Sequence, residues 1–154
     1  MIQRIQTLYL LIAAVLVAML FFFPFAEIAG SDGTIYAFDA KGIYNQGVPN
    51  AEKIYGSLPI NLLSGFTLGL LLIIIFQFKN RVRQMRLSTL SIFILVGLSG
   101  IIFYYTWKSA SIIGGTYSLS LVTAFPLISA ILVYLAIRSI ARDELLVRSI
   151  DRIR

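Results

Sequence analysis

Four stretches of this chain carry no Asp, Glu, Lys, Arg or His: residues 7–26, 58–78, 87–107 and 117–137, of 20, 21, 21 and 21 residues. Charged positions crowd into the short intervals between them. About 20 apolar residues, rising 1.5 Å each, cross a hydrocarbon layer of about 30 Å. A backbone in lipid must satisfy its own hydrogen bonds, so each run predicts a transmembrane helix. The first run follows a basic residue, Arg4, as a signal peptide would. It is longer than a usual apolar signal core, however, and Pro24-Phe25-Ala26 is a poor cleavage site, so it reads as a retained helix. The remainder, chiefly the loop 27–57 and the tail 138–154, is too small for a second core. The expectation is one four-span membrane domain over residues 1–154.

Details within the runs refine this picture. Pro59 falls in the first turn of helix 2, where its missing N–H costs little, and Ser57 is a candidate cap. Pro126 falls near the middle of helix 4 and predicts a kink there, with a gating hinge as the alternative. Gly65 and Gly69 on helix 2, Gly97 and Gly100 on helix 3, and Ala14 and Ala18 on helix 1 are small residues that would let helices approach closely, within a four-helix bundle or in a dimer. Asn61 and Gln77 read as structural hydrogen-bonding groups. Tyr104, Tyr105, Trp107, Tyr117 and Tyr55 gather at one set of helix ends, as rings with a polar edge do at headgroup level. In the first loop, residues 35–38 and 43–44 are β-prone and flank Asp39-Ala40-Lys41-Gly42, which has turn chemistry, so a small hairpin is expected. The fold class is therefore an all-α membrane protein of four transmembrane helices, with an outer β-hairpin-like loop between helices 1 and 2.

Charge orients it. Lys79, Arg81, Arg83 and Arg86 lie between helices 2 and 3; Arg138, Arg142, Arg148, Arg152 and Arg154 lie in the tail; with Arg4 they put ten of the thirteen basic residues on one side. Cytoplasmic segments retain Lys and Arg, so both termini and the 79–86 loop are expected inside. The cluster reads first as a topology signal. It also forms a cytoplasmic basic surface suited to anionic headgroups, at about 1 kcal/mol per residue near the membrane. A nucleic-acid binder would spread such charge over a folded face, which argues against nucleic acid or a ribosome as partner. Asp143 and Glu144 are expected to pair with basic groups of the 79–86 loop, and Leu146, Val147, Ile150 and Ile153 form a partial apolar stripe along a helical tail.

At 58% hydrophobic and 13% charged, the chain lies well outside the 45–50% apolar range of soluble domains. It has no His and no Cys, which removes imidazole acid–base work, thiolate nucleophiles, His-ligated haem and thiolate metal sites. No ionisable residue falls inside a predicted span, and pumps usually carry one. No catalytic, cofactor-binding or metal-binding residue is assigned, no cofactor is expected, and no residue pattern supports an enzyme.

The start MIQRIQTLYLLIAA, the stretch LFFFPFA, the loop NRVRQMRLS followed by GIIFYY, and the ending LAIRSIARDELLVRSIDRIR together resemble a family of small four-helix integral membrane proteins of unknown function from Bacteroidetes. The resemblance covers essentially the whole chain. It implies a multi-pass protein of the bacterial inner membrane and supplies no activity. Two function classes follow: an accessory or scaffold subunit of a larger membrane assembly, with other membrane proteins as partners, or a small transporter or channel-like homo-oligomer with Asn61, Ser64 and Thr67 on its polar face.

Overall fold

The structure, a computed structural model, describes residues 3–30, 33–47, 56–78 and 80–151. In chain order it forms helix α1 (Gln3–Met19), strands β1 (Ala26–Ala29), β2 (Ile35–Asp39) and β3 (Gly42–Asn45), helices α2 (Leu58–Phe76) and α3 (Arg81–Ile113), strand β4 (Thr116–Leu119), a 3-10 turn (Leu121–Ala124) and helix α4 (Phe125–Asp151). The class is mostly helical but not all-α.

Helix α2 begins where its Pro predicts, with Pro59 in the first turn. Helix α3 is longer than its apolar run, at 33 residues or about 50 Å. Arg, Gln and Met are good helix formers, and nothing between Arg81 and Arg86 breaks the pattern. It stops at Gly114, which takes a left-handed φ of 68°, while the Gly115 N–H returns to the Ala110 carbonyl at 3.1 Å. Helix α4 corrects the expectation most. The run 117–137 is not one helix: its first residues form β4 and the 3-10 turn, and α4 starts only at Phe125. Pro126 is therefore the second residue of α4 and not a mid-helix kink. A first-turn position leaves no intrahelical hydrogen bond for proline to break.

Each helix packs against two others, α1 against α2 and α4, and α3 against α2 and α4. The core between them includes Leu10 and Val17 of α1, Leu71 and Ile74 of α2, Leu95, Leu98 and Ile102 of α3, and Val133 and Ala136 of α4, nearly all fully buried. Helices α1 and α4 meet most extensively. Ala13, Ala14, Ala130 and Ala136 are buried on them, and the Ser129 hydroxyl donates to the Ala13 carbonyl at 3.2 Å. Ala14 thus sits in a helix contact as expected, and Ala18 is half-buried.

The close contact expected of the glycines is not made among the described residues. Gly65, Gly97 and Gly100 are exposed, Gly69 is half-buried, and a Cβ added to any of the four would meet nothing within 4 Å. The inward stripes of α2 and α3 are set by residues three and four apart, such as Ile60, Ser64, Leu71 and Ile74, and the glycines fall off those stripes.

The predicted hairpin is present. Asp39 pairs with Gly42 across a two-residue turn, Gly42 has φ 133°, and the Asp39 carboxylate accepts the backbone N–H of Lys41 at 2.6 Å and of Gly42 at 3.2 Å. It belongs to a larger antiparallel sheet of order β3-β2-β1-β4. Strand β1 follows α1 and β4 follows α3, so the sheet gathers at the end of the molecule where α1 and α3 finish and α2 and α4 begin. Its buried face carries Ala26, Ile28 and Phe38. Phe25 and Phe38 meet edge to face at 5.4 Å.

Three helical segments, Leu58–Phe76, Arg81–Ile113 and Leu121–Leu145, are long and apolar enough to cross a membrane. Helix α1 is apolar but shorter, at 17 residues or about 25 Å. Phe22, Phe66, Phe76 and Phe93 are among the large apolar side chains that face outward.

Candidate functional site

Polar side chains gather at the two ends of the helices and in a sparse line between them. At the sheet end, the Ser57 hydroxyl and the Asn61 amide both donate to the Ala40 carbonyl, which fixes the hairpin turn to the start of α2. Asn61 is thus the structural group its position suggested. The Phe25 carbonyl accepts the Thr123 hydroxyl at 2.5 Å and the Ser120 N–H at 2.9 Å, which fixes the entry of α4 to the exit of α1. Burial, and then the neighbouring Asp39 carboxylate, raises the Tyr44 phenol above its ordinary value, so it stays protonated at neutral pH.

At the opposite end, three contacts close the helices. The buried Gln6 amide donates to the buried Asp143 carboxyl, joining α1 to α4. The Gln84 amide donates to the Ile74 carbonyl at 3.2 Å, joining α3 to the last turn of α2. Arg81 lies 3.8 Å from Glu144, joining α3 to α4. Glu144 therefore meets a loop-side arginine as expected, whereas Asp143 takes a glutamine from α1 instead. The ion pair is partly exposed and contributes at most about 1 kcal/mol. It sets the start of α3 beside the α4 extension, and Arg83, Arg86, Arg138 and Arg142 are exposed on these two segments. Lys79, Arg152 and Arg154 lie outside the described residues, as does the side chain of Arg148.

Between the ends, most buried hydroxyls bond their own helix. Thr67 donates to Leu63, Thr106 to Ile102 and Ser109 to Tyr105, at 2.7, 2.9 and 2.6 Å. Such back-bonding is how a hydroxyl is satisfied inside an apolar packing. The Ser64 and Ser88 hydroxyls are buried without a hydrogen-bond partner among the described residues.

An open cleft of about 550 Å³ lies at the open end of the β2–β3 hairpin, lined by Gly33, Thr34, Ile35, Asn45, Gln46 and Gly47. None of these side chains titrates near neutral pH or acts as a ready nucleophile, so the lining offers binding surface without acid–base groups.

Fold and contacts thus define a small helical protein with membrane-compatible helices, closed at one end by a β-sheet and at the other by polar ties. Residues 2–153 match a family described as a domain of unknown function (DUF4293), and the chain belongs to that family. No curated protein matches the chain.

Proposed function

We propose that this chain is a multi-pass protein of a bacterial inner membrane, of the Bacteroidetes type its sequence resembles. It crosses four times as a helix bundle, with both termini and the basic surface in the cytoplasm and the sheet outside. Its role is that of an accessory or scaffold subunit in a larger membrane assembly. The observation that carries this reading is where the polar groups are used. Ser57, Asn61, Gln84, Ser129 and the Gln6–Asp143 pair are engaged in holding the chain's own elements together. The surface left over is apolar along the helices, with arginines at one end.

The competing reading, a transporter or channel built from several copies, needs a polar helix face turned toward a neighbour. Ser64 and Thr67 are buried in their own chain and Asn61 is half-buried, so α2 turns no such face outward. Helix α1, at about 25 Å, fits a fourth crossing if the bilayer thins around it or if the residues after Met19 complete the span. Arg83, Arg86, Arg138 and Arg142 suit anionic lipid headgroups.

Two experiments test this. Reporter fusions after Tyr44 are expected to read periplasmic and fusions after Arg83 cytoplasmic; a cytoplasmic signal at Tyr44 removes the four-span topology with both ends inside. Native purification in mild detergent is expected to recover a second membrane protein in fixed stoichiometry. Recovery of this chain by itself, at every detergent and salt concentration tried, rules out the scaffold role.

A further inference from the structure

We infer that β4 is a pairing edge at which two copies of this chain join, antiparallel about a two-fold axis through Ser118, into one continuous eight-stranded sheet.

The hydrogen-bond parity of the sheet shows which way β4 points. Gly30 N–H donates to the Thr34 carbonyl at 2.9 Å, so even-numbered residues of β1 face β2. The Ser120 N–H donates to the Phe25 carbonyl at 2.9 Å, so odd-numbered residues face β4. The register pairs Glu27 with Ser118 and Ala29 with Thr116. The backbone groups of Thr116 and Ser118 therefore bond β1, and those of Tyr117 and Leu119 point away from it. Strand β4 ends the sheet order, and among the described residues no strand lies on its other side. All four of its residues are exposed.

Natural edge strands are usually protected by a charge, a proline or a bulge. This one has none: residues 109–137 carry no charge, and β4 reads Thr-Tyr-Ser-Leu. The outward groups are also self-complementary. With Ser118 on the axis, Tyr117 of one copy stands opposite Leu119 of the other. Each such pair exchanges two N–H···O=C bonds, and the pair occurs twice. Like-charge repulsion is absent across the seam.

Orientation favours a second copy over a foreign strand. Ala26 and Ile28 are buried while Glu27 and Ala29 are exposed, and Phe38 and Ile43 share one core with Leu20, Ile60 and Val122 at the helix ends, so one face of the sheet rests there. A two-fold axis normal to that face runs along the helices and leaves both copies pointing the same way, as two copies in one bilayer must. The contact uses the same patch on both subunits and closes as a dimer. Leu121, 75% exposed, follows the strand and would be covered beside the seam. This inference stands independently of the scaffold role.

The chain has no cysteine, so a single introduced one reports directly. On the axis, Ser118 faces its own copy as a close, non-hydrogen-bonded pair with Cα atoms about 4.5 Å apart, within disulfide reach. Full-length Ser118→Cys in native membranes, oxidised with copper phenanthroline, is expected to give mostly covalent dimer. Thr89→Cys, exposed on α3, is expected to stay at background. Tyr117→Pro removes one outward N–H without touching the β1 ladder and is expected to cut the Ser118→Cys cross-link at least tenfold. Leu119→Lys places a charge on the edge of each copy and is expected to convert the dimer to monomer by native mass measurement in mild detergent. Cross-linking of Ser118→Cys no greater than that of Thr89→Cys overturns the proposal. So does a cross-link to a different protein, or a dimer that Leu119→Lys leaves intact.

Discussion

Gly115→Ala is expected to destabilise the protein by about 3 kcal/mol, whereas Gly100→Ala is expected to stabilise it by about 0.5–1 kcal/mol. The two glycines look alike in sequence and differ in surroundings. A Cβ on Gly115 would lie 2.1 Å from the Ala29 carbonyl oxygen and 2.8 Å from its carbon. Those are backbone atoms of the neighbouring strand, so no side chain can swing aside. Strand β4 would have to separate from β1, and the entry of α4 would move with it. A Cβ on Gly100 would meet nothing within 4 Å among the described residues, and the position is inside a helix, where alanine lowers the entropy of the unfolded chain at no steric cost. Thermal unfolding of the purified protein, followed by the fluorescence of Trp107, checks both signs. At roughly 2–4 °C per kcal/mol for a chain of this size, the two variants separate by roughly 10 °C. A Gly115→Ala protein that melts with the wild type means that β4 does not approach Ala29 so closely.

The second large effect is expected at the Gln6–Asp143 contact. Both groups are buried, and each is the other's partner across α1 and α4. Gln6→Leu leaves a buried carboxyl without its donor; Asp143→Leu leaves a buried amide without its acceptor. Each single change is expected to cost about 2–3 kcal/mol. The double change removes both polar groups together and is expected to cost no more than the worse single change, which gives a coupling of about 2 kcal/mol in a double-mutant cycle. Chemical denaturation in mild detergent provides the four values. Additive single effects would mean that the two residues do not act as a pair. Charge pairing at the same end behaves differently: Arg81→Gln, facing the partly exposed Glu144, is a far smaller loss.

The contrast between local and distant information explains what was legible in the sequence. Helix α2 and the β2–β3 hairpin are specified by neighbours: Pro59 in a first turn, and Asp39 and Gly42 bracketing a turn. Both are legible in the sequence, as is a pairing between the α4 extension and the start of α3, realised by Glu144 and Arg81. The start of α4 is not legible, because hydropathy does not distinguish a short exposed strand from the first turns of an apolar helix. Thr116–Leu119 simply continues the charge-free run. Pro126 carried the corrective signal, since proline favours the first helical turn, but that reading requires knowing that the residues before it are extended. Strands β1 and β4 find their partners in each other, and no periodicity within either segment announces that. Gln6 was invisible as a polar tie for the same reason, since Asp143 lies 137 positions away.

The β1–β4 pairing also fixes an order of events in biogenesis. The paired residues are about ninety positions apart, and α2 and α3 lie between them. As the chain leaves the ribosome, β1 is made early and keeps one edge open until α3 has been completed and β4 has followed it. Closing a contact of such long separation is slow, and an edge left open in the interval can recruit a wrong strand. The same closure brings Ser120 and Thr123 to the Phe25 carbonyl, so completing the sheet and anchoring the entry of α4 go together. A chain stopped before residue 116 lacks both the strand and the anchor, and presents to proteases a β1 edge that β4 covers in the finished fold.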